Sequence, residues 1–193
     1  TRSAADFSQG FIPNSINIGL EGSFAQWVGE MIPNVKQEIL LITYPNKQEE
    51  AITRLSRVGY DNTIGFLEGG FDSWIAADRE YETVGRISPT EFESMYEDSE
   101  PLVFDVRKKS EFDSEHVVGA INVPLNEINE HLSQFPKETF FVLHCAGGYR
   151  SMIAASILKQ RGWEEVVDVD GGFDKIKNTS VEKTEYVCPT TLL

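Results

Sequence analysis

The residues best suited to chemistry form a segment that reads Cys-Ala-Gly-Gly-Tyr-Arg, from Cys145 to Arg150. It lies between an apolar run at 140–143 and a helix-like stretch that opens at residue 151. The N–H groups of a glycine-rich loop and the N-terminus of a helix both place partial positive charge beside the sulfur, which favours the nucleophilic thiolate. Arg150 can brace the loop or bind an incoming anion. We therefore predict Cys145 and Arg150 as catalytic residues, with an active loop of Ala146, Gly147, Gly148, Tyr149 and Ser151.

The composition and charge of the chain limit the kinds of molecule that it is expected to bind. The 193 residues carry a formal net charge of −14, which argues against nucleic acid or an anionic membrane as the partner. No apolar run approaches the length of a membrane span. Two cysteines do not make a disulfide framework, which fits a reducing, cytoplasmic location. The three histidines have no metal-ligand spacing, so we expect neither a metal nor a cofactor.

The chain repeats itself at a spacing of roughly one hundred residues, which indicates a duplicated domain rather than a short solenoid repeat. In both copies an arginine and a phenylalanine precede an Ile-Asn pair, and a Gly-Gly-Phe-Asp motif follows later. The matching segments are Arg2, Phe7, 14–18 and Gly69–Asp72 in the first copy, and Arg107, Phe112, 119–123 and Gly171–Asp174 in the second.

Within the second copy, short apolar runs alternate with helical patterns. Strands are predicted at 102–106, 120–123, 140–143 and 166–169, and a helix at 151–161 with Ile153, Ala154, Ile157 and Leu158 on its apolar face. A second helix, at 89–97, opens with a capping box from Ser88 to Glu91. This alternation predicts an α/β fold in which each domain is a mostly parallel sheet with helices on both faces.

We place the boundaries at 1–84 for the first domain, 85–178 for the second and 179–193 for a C-terminal tail. The first copy lacks the strand that precedes Arg107 in the second copy. We therefore expect the chain to be part of a longer protein, or to lack its first strand.

Several motifs in order resemble the rhodanese-like sulfurtransferase family over residues 87–178. They lie at 105–107, 111–112, 115–124, 145–150 and 171–173. Residues 1 to about 80 resemble a second, degenerate rhodanese module. The segment 22–29 is similar to one in proteins that fuse a persulfide dioxygenase of metallo-β-lactamase fold to two rhodanese modules, so the resemblance implies such an upstream domain as a partner.

The resemblance also implies a reaction. Cys145 would take sulfane sulfur from thiosulfate or a persulfide donor and pass it to a thiol or cyanide, so the partners are small sulfur-containing anions and thiols. Asp105, Arg107 and Glu111 would be structural supports of the loop. His144, which precedes Cys145, should point to the opposite side of its strand and is interpreted as structural.

Two other functions stay open. A non-catalytic persulfide carrier would hold sulfur for a fused or partner dioxygenase. A phosphatase-like enzyme is disfavoured, because the related phosphatase loops have one more residue between cysteine and arginine than the four present here.

Two further expectations concern the rest of the chain. In the first module Tyr44 stands near the cysteine position and Glu49 or Glu50 near the arginine position, so we expect that module to be inactive. Cys188 is either an inert thiol of the tail or a relay that accepts the persulfide from Cys145.

Overall fold

The computed structural model describes residues 1–188. The chain divides into two compact units, Thr1–Thr83 and a second unit that begins at Val84. Among the helices of residues 1–188, none combines the length and the apolar character needed to cross a lipid bilayer.

The first unit has a two-stranded parallel sheet and four helices. Ile39 pairs with Thr63 across the sheet, and an antiparallel bridge joins Phe11 to Glu82. The elements are α1 (Ala4–Gln9), α2 (Phe24–Met31), β1 (Ile39–Leu41), α3 (Gln48–Ser56), β2 (Thr63–Phe66) and α4 (Gly70–Ala76).

The second unit has a five-stranded sheet whose strand pairs are all parallel. Its elements are β3 (Gly85–Ile87), α5 (Pro89–Ser99), β4 (Leu102–Asp105), α6 (Lys109–Ser114), β5 (Ile121–Asn122), β6 (Phe141–His144), α7 (Tyr149–Gln160), β7 (Val166–Val169) and α8 (Gly172–Ile176), with 3-10 turns at Leu125–Glu127 and Leu132–Gln134. The strand order β3-β7-β6-β4-β5 puts β6, which leads into the Cys145 loop, at the centre of the sheet.

Alternation along the central strands creates two buried faces. Val103, Val142 and Val169 pack with Phe92 of α5 and Ile176 of α8 in one apolar cluster. The alternate residues of the same strands point to the other face. The predicted architecture of two α/β modules is therefore confirmed.

Element ends differ from the predictions where capping residues decide them. Helix α5 starts with the predicted capping box, in which the Glu91 N–H donates to Ser88 Oγ and the Ser88 N–H to Glu91 Oε2. It continues to Ser99, two residues beyond the prediction. Helix α7 begins at Tyr149 rather than residue 151, because Gly148 takes the left-handed conformation (φ +91°) at its N-cap.

The helix α7 is also more deeply buried than its sequence predicted. All residues from Ser151 to Leu158 are buried, whereas an apolar face of four residues was expected. Two small residues on the remaining face, Ala155 and Ser156, allow close packing on that side as well.

The internal repeat extends to side-chain geometry. The Arg2 guanidinium lies 4.3 Å from the centre of the Phe71 ring in the first unit. The Arg107 guanidinium lies 4.0 Å from the Phe173 ring in the second. Each unit thus places the same cation on the phenylalanine of its Gly-Gly-Phe motif.

The same motif corrects the predicted counterpart of the cysteine. A Cβ on Gly172 would collide with the Cys145 carbonyl oxygen, and a Cβ on Gly70 would lie 2.7 Å from the Thr43 carbonyl oxygen. The buried Thr43 therefore holds the cysteine position of the first unit, and Tyr44, which was predicted near that position, is the next residue.

The two carboxylates predicted near the arginine position, Glu49 and Glu50, lie one and two residues beyond it. Five residues beyond Thr43, as Arg150 is beyond Cys145, stands Gln48. Glu50 instead forms ion pairs with Arg54 (2.6 Å) and Lys47 (2.7 Å). Its negative charge is thus already paired on the surface of α3.

Candidate active site

The structure places Cys145 directly after β6 and buries it, with 1% of the residue exposed. The Gly148 backbone N–H donates to Cys145 Sγ at 3.1 Å. The Ser151 hydroxyl, also fully buried, lies 3.5 Å from the same sulfur. Both groups can donate hydrogen bonds to an anionic sulfur, and both belong to the N-terminal turn of α7, where the helix dipole adds to their effect.

Backbone hydrogen bonds from the Gly-Gly-Phe-Asp motif fix the cysteine loop in place. The Phe173 N–H donates to the Cys145 carbonyl at 2.7 Å, and the Asp174 N–H donates to the Ala146 carbonyl at 2.9 Å. This approach requires Gly172, whose φ is +53° and whose Cβ would lie 2.7 Å from the Ala146 carbonyl oxygen. The repeat motif is therefore a clamp on the cysteine loop.

Arg150 is engaged by Glu111 in a two-point ion pair. Its Nη1 donates to Oε2 at 2.6 Å and its Nη2 to Oε1 at 2.8 Å. The hydrogen bond from Arg150 is the main reason that the pKa of Glu111 is lowered. The arginine thus braces the loop against α6, and its charge is balanced by a carboxylate.

Replacing Glu111 by glutamine should destabilise the second unit by about 1 kcal/mol at pH 7. A hydrogen bond to a charged group contributes about 1.5–3 kcal/mol, and partial exposure of Glu111 reduces this. The pKa of Glu111 is lower in the folded protein than in the unfolded chain. The stabilisation from the ion pair is therefore complete when the pH is above the pKa that Glu111 has in the unfolded chain, and it is lost as the pH falls through the pKa that Glu111 has in the folded protein. Urea-dependent hydrogen exchange of peptides from residues 84–188, at neutral and acidic pH, measures the difference.

Asp113→Asn is the matched control, because Asp113 lies on the same helix and pairs with the exposed Lys109 at 2.8 Å. It should change stability little. A Glu111→Gln effect that is equally large at both pH values would contradict the ion-pair explanation.

A second polar layer lies at the ends of β4 and β6. Arg107 donates through Nε to Asp105 Oδ2 at 2.8 Å and through Nη2 to the Glu115 carbonyl at 2.8 Å. His144 Nδ1 lies 3.2 Å from the Cys145 carbonyl oxygen. Burial lowers the pKa of His144, so its ring is neutral near pH 7. All three side chains are buried and make these contacts with other groups of the protein.

Two charged residues beside the loop were not anticipated. Asp168 of β7 is completely buried, and Arg86 of β3 donates to its Oδ2 at 3.1 Å. The same guanidinium pairs with Asp170 at 2.6 Å, and its Nη2 would lie 3.2 Å from a Cβ on Gly148. An aspartate inside the apolar run Val-Val-Asp-Val was the available signal, because a buried charge in a central strand requires a partner.

The remaining predicted residues occupy the rim or the tail. Gly147 is exposed, and Ala146 and Tyr149 are half-buried. The chain near Cys188 is held to α6, because the Val187 N–H donates to the Ser114 carbonyl at 2.8 Å. Within residues 1–188, no group of three or more His, Cys, Asp or Glu side chains is arranged to hold a metal ion.

A protein-family model described as "Rhodanese-like domain" matches residues 1–77 and again residues 88–179. The chain belongs to this family. Both rhodanese-like modules are therefore covered, and family membership supports sulfurtransferase-type activity in general terms.

Three curated relatives illustrate the range of the match. YqhL of Bacillus subtilis, an uncharacterized protein, is 30% identical over 46% of this chain and 69% of its own length. Thiosulfate sulfurtransferase GlpE of Tolumonas auensis is 34% identical over 36% of this chain and 66% of its own. A tRNA uridine(34) hydroxylase of Staphylococcus carnosus is 33% identical over 47% of this chain, which spans only 31% of that enzyme.

Proposed function

We propose that the second module is a sulfurtransferase that carries sulfane sulfur as a persulfide on Cys145. The observation that carries the proposal is the setting of the sulfur, which faces the Gly148 N–H at 3.1 Å and the Ser151 hydroxyl at 3.5 Å. Donors fixed before reaction stabilise an anion without reorganisation. The similarity to a thiosulfate sulfurtransferase supports this chemistry.

In the first step the Cys145 thiolate attacks the outer sulfur of thiosulfate. A new S–S bond forms to Sγ, the S–S bond of the donor breaks, and sulfite leaves with the bonding electrons. In the second step a thiolate or cyanide attacks the outer sulfur of the persulfide and displaces the Cys145 thiolate. Nucleophilic catalysis thus divides one transfer into two displacements.

Each predicted residue has a role in this scheme. Gly148 and Ser151 stabilise the negative sulfur, and Ala146, Gly147 and Tyr149 form the wall of the loop. Arg150 and Glu111 fix the loop to α6, while Asp105 and Arg107 hold the strand ends beneath it.

Sulfur loading is tested by intact mass before and after incubation with thiosulfate. The wild-type chain should gain the mass of one sulfur atom, and a reducing thiol should remove it. Cys188→Ser is the control that assigns the label, since it leaves the Cys145 loop untouched and should load equally. A chain that gains no mass from thiosulfate or from a persulfide donor contradicts the proposal.

A second candidate, the persulfide carrier, is favoured by one observation. Because Glu111 already balances the charge of Arg150, recognition of a dianionic donor such as thiosulfate is weakened. A carrier would accept sulfur from a persulfide and show no thiosulfate:cyanide turnover. Turnover that depends on Cys145 therefore decides for the sulfurtransferase.

A further inference from the structure

The Ser151 hydroxyl has one proton and two acceptors. It lies 3.5 Å from Cys145 Sγ, and it is also close enough to the Asp168 carboxyl to favour the ionised form of that group. Within residues 1–188, Oδ1 of Asp168 has no hydrogen-bond partner, whereas Oδ2 accepts from Arg86. A buried carboxylate oxygen without a donor is costly, so this oxygen is suited to take up a proton.

We infer that Asp168 is a positioning residue that accepts, through Ser151, the proton Cys145 loses when its thiolate forms. The inference rests on the proposed function of Cys145 and extends it to the protons of the reaction. The Cys145 S–H bond breaks as an O–H bond forms on Ser151 Oγ. The original Ser151 proton passes to Oδ1 of Asp168, so one proton moves and no group is oxidised or reduced.

The final state of this transfer satisfies every group in the array. The Asp168 O–H donates to Ser151 Oγ, and the Ser151 hydroxyl donates to the Cys145 thiolate. To start the transfer, the Ser151 hydroxyl turns from Cys145 Sγ toward Oδ1 of Asp168, which has no partner within residues 1–188, and the thiol then donates to Ser151 Oγ. Two arrangements of one hydrogen-bonded chain therefore correspond to the two protonation states.

The surroundings of Asp168 allow it to change protonation near neutral pH. Burial outweighs the contacts with Ser151 and Arg86 and raises the pKa of Asp168 to about 7. The charged or titratable groups that face it are Arg86 on β3, Asp170 at the end of β7 and, through Ser151, Cys145 after β6. A carboxyl with a pKa near the operating pH is an efficient proton acceptor.

The test is the pH dependence of Cys145 alkylation by iodoacetamide, followed by intact mass in a Cys188→Ser background. Alkylation reports the thiolate without requiring sulfur transfer. Two coupled groups titrate in two macroscopic steps, so the parent chain should show two inflections across about pH 5 to 9, with one near pH 7. Asp168→Asn should show a single inflection.

Two further variants make the result specific. Ser151→Ala removes the hydroxyl between Cys145 and Asp168 but leaves the ion pair of Asp168 with Arg86, so it should also give a single inflection. This variant provides the same test if Asp168→Asn does not fold. Asp170→Asn removes an exposed carboxylate from the same Arg86 and should retain both inflections. A profile of Asp168→Asn or Ser151→Ala that superimposes on the parent profile overturns the inference.

Failure of the relay and failure of the proposed function are separable. Sulfur loading with an unchanged Asp168→Asn profile rejects the relay and leaves sulfur transfer standing. A uniform fall in alkylation at every pH, with both inflections kept, indicates a purely structural role for Asp168 and also rejects the relay.

Discussion

Replacing Cys145 by serine is expected to abolish sulfur loading and thiosulfate:cyanide turnover. A serine hydroxyl is not ionised near neutral pH, and its oxygen cannot form the persulfide on which both displacements depend. Loss of an enzyme's nucleophile lowers turnover by about 10⁴-fold or more. The change should leave the fold intact, because Cys145 and serine are close in size and the Gly148 N–H can donate to either atom.

The matched control is Cys188→Ser, which should retain loading and turnover if Cys188 is an inert thiol. If Cys188 instead accepts the persulfide from Cys145, the Cys188→Ser variant should still load sulfur on Cys145 but should deliver less of it to acceptors. Turnover that survives Cys145→Ser would place the chemistry on another residue and reject the proposed site.

The second large effect is expected from Gly172→Ala. The added Cβ would collide with the Cys145 carbonyl oxygen and lie 2.7 Å from the Ala146 carbonyl oxygen, both of them backbone atoms. Its φ of +53° adds conformational strain. We expect a loss of about 3–5 kcal/mol in the stability of the second unit, together with loss of sulfur loading as the loop is displaced.

Gly119→Ala separates these two contributions. Gly119 has a similar φ of +78°, but an added Cβ would meet no atom within 4 Å. Its cost should be about 1 kcal/mol, from the backbone conformation alone. Hydrogen exchange of peptides from residues 84–188 compares the two variants, and equal losses would show that the clamp on the loop contributes nothing beyond φ.

The cysteine loop could be located from sequence because its features are local. A cysteine, two glycines and an arginine between a strand and a helix are adjacent in the chain, and the structure keeps them adjacent. The strand Val166–Val169 was predicted to the residue, because a short apolar run bounded by polar residues has one interpretation in an α/β repeat.

The contacts that the sequence did not reveal are those between distant residues. Asp168 meets Arg86 across 82 positions and Arg150 meets Glu111 across 39. The separation of two residues along the chain does not indicate whether they come into contact in the folded protein. The counterpart of Cys145 in the first module could be predicted only to within a residue for a related reason, since it is the approach of Gly70 to Thr43 that fixes the register of that loop.

The complete burial of α7 ties the reactivity of Cys145 to the stability of the whole second module. Residues Ser151 to Leu158 present no solvent-facing surface along which the helix could fray, and buried helices open only with their cooperative unit. The Gly148 and Ser151 donors are attached to this helix. Brief local fluctuations therefore do not move the Gly148 and Ser151 donors away from the sulfur, and the thiolate keeps its stabilising hydrogen bonds for as long as the module stays folded.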